Sequence, residues 1–495
     1  MQSFKNVENI RQDYHFDPAR NSVHRSSLLV PEIPGCEVNI SFLNHFLLKR
    51  GYQNVACRIT GIDEAGDLIE TRFIKINEPI VYSISLRDLF NSTPANYLVE
   101  FYASDNLFIP FPAVMINHKG EGFLNSVHSY NRVLNDVFED DRINKIHVRE
   151  ASIDVCVDDV YDTFVIFAAG QMSIDGELKF ELMSSKERYE RIETISAERL
   201  TTQRLSLRKL FPNFKSDKEP AILKIEQPQQ LLFYGRLFAG ISTQDGAFSA
   251  NHSYYDTSNV PEYWDDGAYS YAIYPIFRGL NARIRMYPIM SPGILKLEVA
   301  FHDHKGLEIG RRDIGLLSSP SNEFIDADIN DTAIASGINP EEIGAFSLYS
   351  SPVKGGTPKR VNHQLVYSSG KLSCSINASL ENKNEFVPGG KTGRTWGQTL
   401  VGGGYNSWLA LSAQDPEAGT DFVEVHFYDN TGSIGTLRRE IPSGCCATFD
   451  MNSIVKVTES PRYVWFMAES KRPDLKANVV SQNLLSGHCS GEHGF

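Results

Sequence analysis

Polar and apolar residues alternate along this chain in short runs, as in Phe422-Val-Glu-Val-His-Phe427, with turn residues between them and almost no helical periodicity. A period of two puts successive side chains on opposite faces of an extended strand, so one face can be buried while the other stays wet. The pattern predicts many short antiparallel strands. Brief helical character is confined to stretches such as Leu43-Asn-His-Phe-Leu-Leu-Lys49.

The turns between these runs recur. Asp63-Glu-Ala-Gly66, Asp303-His-Lys-Gly306 and Asp429-Asn-Thr-Gly432 each begin with Asp and end with Gly, and Asp175-Gly176 reads as a shortened version. In such a turn the carboxylate accepts nearby amide hydrogens, and glycine takes the left-handed conformation that leads into the next strand. Ser85-Leu-Arg-Asp-Leu-Phe90 returns as Ser206-Leu-Arg-Lys-Leu-Phe211, with weaker counterparts near Phe324-Ile-Asp-Ala-Asp328 and Thr448-Phe-Asp450. An aromatic strand ending in serine also repeats, at 97–104, 346–350 and 463–470; in the second copy the matching stretch is Ala221-Ile-Leu-Lys-Ile-Glu226.

A Gly-x5-His segment fixes the period. It runs from Gly122 to His128, from Gly246 to His252 and from Gly487 to His493. The first two histidines lie 124 residues apart and the last two 241, almost twice that spacing. Midway between them the chain reads Gly370-Lys-Leu-Ser-Cys-Ser-Ile-Asn377, with one extra residue and an asparagine for the histidine. One unit used four times is the expectation. The predicted fold is all-β: four tandem antiparallel β-sandwich repeats of immunoglobulin-like size, with internal pseudo-symmetry. The expected division is an N-terminal arm over 1–30 and repeats over 31–140, 141–270, 271–390 and 391–495, the second carrying an aromatic connector. Units of this size can each bury a core.

The net charge of −13 argues against nucleic acid or an anionic membrane as the main partner, since both need basic surface. No apolar run is long enough to span a bilayer, and residues 1–10 form no continuous apolar leader, which makes a cytoplasmic location the expectation. Seven cysteines share no position common to all repeats, so they read as unpaired buried residues rather than a disulfide framework.

The repeated histidine carries the candidate chemistry. If the four units pack around an axis, His128, His252 and His493 meet and bind one divalent transition metal such as Fe, Zn or Cu. Asn377 would then stand beside the vacant position as an orienting, catalytic group. In the plainer alternative each imidazole pins the end of its own sandwich, and the amide of Asn377 mimics one ring nitrogen. A second candidate site is the connector, where Tyr254, Tyr255, Asp256, Tyr263 and Trp264 offer stacking and hydrogen bonding to a small molecule or glycan. His118, His488 and Cys489 lie near the histidine strands, where they could serve as outer groups, but His488 and Cys489 alternate across a strand and all three are unmatched between copies, which reads as incidental. His302-x-His304 falls at a hairpin and reads as a solvated turn. Gly390-Lys-Thr392 lacks the leading glycine of a phosphate loop. Two functions follow: a metal-dependent enzyme built on the histidines, or a non-catalytic glycan- or protein-binding scaffold in which they are structural. Nothing in the pattern sets an oligomeric state.

Overall fold

The computed structural model describes residues 26–495 except 106, 108, 110–111, 134–148, 171–172, 217–218, 229–231, 256–262, 265–268, 288–292, 319–323, 359, 383–392, 415–418, 443 and 473. Repeat one supplies eight strands, A to H in chain order: Ser26–Pro31, Glu37–Leu43, Val55–Ile62, Leu68–Ile76, Val81–Ser85, Asn96–Ala103, Met115–Gly120 and Phe123–His128. Strand A therefore begins inside the stretch expected as an arm. The strands make two antiparallel sheets, A-F-C-D and E-B-G-H.

Repeat four has the same two sheets, and repeat two has them with Tyr254–Tyr255 added beside strand A. Repeat three differs at one edge. Its strand A (Ser270–Pro275) pairs with its strand H (Cys374–Asn382), so both sheets join in one eight-stranded sheet. The chain is thus an all-β protein of four sandwiches with one strand order.

Local chemistry explains the recurring landmarks. The Asp–Gly turns join strands C and D: Asp63 Oδ1 accepts the amides of Ala65 and Asp67 at 2.9 and 2.8 Å, and Gly66 has φ +79°. Asp303 repeats the arrangement with Lys305 and Leu307. Asp175-Gly176 does not. It lies inside strand C of repeat two (Ile174–Ser184), where both residues pair across the ladder. The turn there follows Ser184, whose Oγ accepts the amides of Lys186 and Glu187. The Ser-Leu-Arg landmark marks the end of strand E and a single helical turn after it. In repeats two, three and four that turn is capped by Ser206, Asp328 and Asp450, which satisfies an otherwise orphaned amide. The aromatic landmark is strand F, inside its sheet in every repeat.

Each sandwich buries an apolar core, but the cores run together. That of repeat one continues into Phe164, Phe238 and Phe248 of repeat two and into Trp396, Trp465 and Met467 of repeat four. The core of repeat three takes in Trp408, Val480 and Cys489 of repeat four. At the centre, strand H of repeat one (Phe123–His128) touches strand H of repeat two (Phe248–His252) and of repeat four (Cys489–His493). Strand H of repeat three touches the same two, so the four close a circuit.

A buried sheet edge must satisfy its free backbone groups. Side chains of the neighbouring repeat do this. Asn125 Oδ1 accepts the Ala250 amide at 2.7 Å, Ser490 Oγ accepts the Ser126 amide at 2.9 Å, and Asn251 Nδ2 donates to the Ser375 carbonyl at 2.9 Å. The seven cysteines are free thiols, all buried except the half-buried Cys156. Among the described residues no helix is long and apolar enough to cross a membrane.

Candidate metal centre

His128, His252 and His493 are the final residues of strand H in repeats one, two and four. Because the H strands converge, the three rings come together. Their centroids are 4.4 Å apart for His128–His252, 4.7 Å for His128–His493 and 6.3 Å for His252–His493. Glu492 joins them, and each of the four residues offers an atom within 4.8 Å of every other.

The rings are oriented by the backbone. His252 Nδ1 lies 2.7 Å from the Ser253 carbonyl, and His493 Nδ1 lies 2.8 Å from the Gly494 carbonyl. A carbonyl only accepts, so Nδ1 of each neutral ring carries the proton and Nε2 presents a lone pair. Glu492 is the charged member. Its Oε2 lies 3.1 Å from His128 Nδ1 and accepts the His128 amide at 3.2 Å, while Oε1 accepts the His493 amide at 2.9 Å and lies 3.7 Å from His493 Nε2.

Burial pushes the Glu492 carboxyl up, but His128, His493 and the His493 amide outweigh it and hold the group down at about 2. It is therefore an anion at neutral pH. Burial pulls His252 well below the ordinary histidine range, with Arg236 and His128 adding to the effect. Burial also lowers His493, opposed by Glu492. Three imidazoles beside one carboxylate are a donor set for a transition metal.

Asn377 is brought to the same place but plays a different geometric part. Its Nδ2 donates to the His252 carbonyl at 2.5 Å and lies 3.5 Å from His252 Nδ1, while its Oδ1 accepts from Gln364. It holds the end of strand H in repeat two. A cavity of about 480 Å³ opens beside His252 and His493, with Asn377, Arg236, Arg394 and Lys476 on its walls. Arg236 Nη1 comes within 3.5 Å of His252 Nε2.

The remaining candidates lie elsewhere. His118 is buried against Phe238 and Phe248, at 5.2 and 5.7 Å between ring centroids, and His488 Nε2 meets the Phe248 carbonyl at 2.8 Å. Cys489 is buried beside Ser369. The solvated-turn reading of His302 is corrected: it closes strand C of repeat three, buried, with Nε2 2.8 Å from Ser347 Oγ, and only His304 is exposed. In the connector, Tyr254 and Tyr255 pair with Ala151 and Glu150, and Tyr263 and Trp264 pair with Pro358 and Thr357, so the backbone there is extended and sheet-bound. Asp256 lies outside the described residues.

Two residues of this region, Glu492 and Arg236, escaped the sequence reading. The places of Glu492 in the other repeats with a histidine are held by Val127 and Asn251, so a repeat-based search passes over it. An acid inside an otherwise uncharged strand was the available signal.

No family model matches this chain, and no curated protein does. Among solved structures, it is similar to a tetra-tandem repeat from the extending region of a large adhesion protein, at 10% identity and a TM-score of 0.11 over 94% of this chain and 97% of that one. It is also similar to the FN1–FN3 domains of chicken CNTN1, at 9% identity and a TM-score of 0.09 over 70% of this chain and 96% of that one.

Proposed function

We propose that this chain is a tandem β-sandwich binding protein that holds one divalent transition metal through His128, His252, His493 and Glu492 and presents it to a ligand in the adjoining cavity. One observation carries the reading: three imidazoles and a buried carboxylate, drawn from three repeats, offer atoms within 4.8 Å of one another. Three nitrogens and one carboxylate oxygen suit Fe, Zn or Cu, whereas Mg and Ca prefer oxygen throughout. The carbonyl bonds to Nδ1 of His252 and His493 are the outer contacts that commonly fix the tautomer of a metal-bound histidine. Donor sets of this kind also activate water or oxygen in enzymes, and ligand binding does not require that step.

The structural alternative keeps a specific observation of its own. His252, His493 and Glu492 already have protein partners, so the same network can simply pin the ends of the H strands. Elemental analysis of purified protein separates the two. The metal reading expects near one equivalent of a single metal, removed by a strong chelator. Alanine at His128, His252 or His493, and glutamine at Glu492, should then each lower occupancy at least about tenfold, because a lost ligand weakens the whole site. Parent protein without metal, and variants that only shift melting temperature, would leave the structural network.

A further inference from the structure

Two buried histidines, from two other repeats, meet at Phe248 in strand H of repeat two. His118 of repeat one packs its ring 5.7 Å from that of Phe248 and 5.2 Å from that of Phe238. His488 of repeat four sets Nε2 2.8 Å from the Phe248 carbonyl and its ring 5.6 Å from that of Phe123 in repeat one. A carbonyl only accepts, so Nε2 of His488 carries a proton. His118 makes no such bond: among the described residues neither of its ring nitrogens has a partner. Its cross-strand neighbour Asn125 commits Oδ1 to the Ala250 amide of repeat two, across the same seam.

A second proton on either ring would be buried among apolar groups. Burial alone holds His118 at about 3, and burial opposed by the carbonyls of Phe248 and His488 holds His488 at about 4. The neighbouring titratable groups are Tyr130, stacked on Phe238 at 5.5 Å, and the Cys489 thiol; burial pushes both up, so they stay neutral in acid. Lys119 follows His118 in the strand and so points to the other face, toward Glu37.

The contact of repeat two with repeat three answers acid with the opposite sign. There Asp154 pairs with Arg285, which also meets Asp326. Burial raises the Asp154 carboxyl, opposed by Arg285. A carboxyl raised in the packed state takes up its proton more readily there, so falling pH favours that contact. A histidine lowered in the packed state takes up its proton on release, so falling pH favours release. At about pH 4.5, each ring returning to the ordinary histidine value favours release by roughly a hundredfold.

We propose that mild acid opens the seam where strand H of repeat two meets repeats one and four, while repeat two stays docked on repeat three. The bonds from Asn251 to the Ser375 carbonyl and from Asn377 to the His252 carbonyl hold that second contact without a titrating group. The sandwiches stay folded, and the opening reverses on neutralisation.

Hydrogen exchange on the full chain, corrected for the intrinsic effect of pH, tests this between about pH 7 and pH 4.5. The Ala250 amide, held by Asn125 of repeat one, should lose protection by at least about a hundredfold. Amides of Leu223 and Ile225, in strand F of the same sandwich, should keep theirs. His118→Leu and His488→Gln should each remove close to one proton from the slope of the logarithm of the opening constant against pH. Asp154→Asn should leave that slope unchanged. Ala250 and strand F losing protection together, or slopes unchanged in both histidine variants, would overturn the proposal. A slope altered by Asp154→Asn would mean that the contact with repeat three opens in the same event, and would overturn the one-sided opening.

Discussion

Repeats one, two and four each have two kinds of free sheet edge, strand D and strand H, and the molecule treats them in opposite ways. In repeats one, two and four the D strands Leu68–Ile76, Arg188–Ala197 and Gly432–Ile441 face solvent and are defended by charge, as in Arg188-Tyr-Glu-Arg-Ile-Glu193. Lysine, arginine and glutamate on an edge discourage another chain from adding to the sheet. The H strands are defended by burial instead, each lying against its neighbours with edge amides tied by asparagine, serine and glutamate side chains. One edge turns other strands away and the other assembles the repeats. The lesson is that positions repeated for structural reasons are gathered into one cluster only where the repeats meet. His128 and Asp63 recur with equal regularity, yet only the histidines are brought within reach of one another.

Removing a hub side chain should show the largest effect. Phe248 is buried in strand H of repeat two, against Phe123 of repeat one and Phe164 and Phe238 of its own sandwich. Phe248→Ala should cost about 3–5 kcal/mol in denaturant unfolding. A cost near zero would mean that the hub is loosely packed and the contrast false.

Acid should come next, through buried histidines away from the metal-site residues. Burial holds His118 at about 3 and His45, His363 and His488 at about 4. Below pH 6.5 the unfolded chain takes up protons at these positions while the folded chain does not, so stability declines as pH falls from about 6.5 toward 4. Each group accounts for on the order of 3 kcal/mol across that window. Among the described residues neither ring nitrogen of His118 has a hydrogen-bond partner. His118→Leu should therefore flatten the decline without loss at neutral pH, measured by melting temperature against pH; an unchanged slope would refute the assignment.

On the solvent edge the effects should be small. Asp303→Ala removes the acceptor for two turn amides and should cost about 1 kcal/mol. Phe73 on strand D of repeat one is 64% exposed, and Phe73→Ala should change unfolding free energy by less than about 0.5 kcal/mol. A cost approaching that of Phe248→Ala would show that this edge is covered after all.

The sequence carried the sandwiches because most of them repeat the same local chemistry: an Asp–Gly turn in repeats one, three and four, a capped helical turn after strand E in repeats two, three and four, and an aromatic strand F in repeats one, three and four. Asp175-Gly176 misled for the same reason, since a turn-forming pair can also sit inside a long strand when the neighbouring strand pairs with both its residues. The equivalence of His128, His252 and His493 was legible from spacing. Their meeting was not, because contacts between repeats rest on single side chains such as Asn125 and Ser490 that leave no periodic trace. Glu492 and Arg236 stayed hidden because each departs from the repeat, so no spacing marks it.

The circuit of H strands has a consequence for how the molecule comes apart. In a string of four units, one parted interface frees whatever lies beyond it. In a loop, every unit has a second neighbour holding it, so a parted seam stays at high effective concentration and recloses without diffusion. Because strands H of repeats one and four touch, the chain can breathe at one seam without dispersing the clustered histidines. Two seams must open together before the centre is lost.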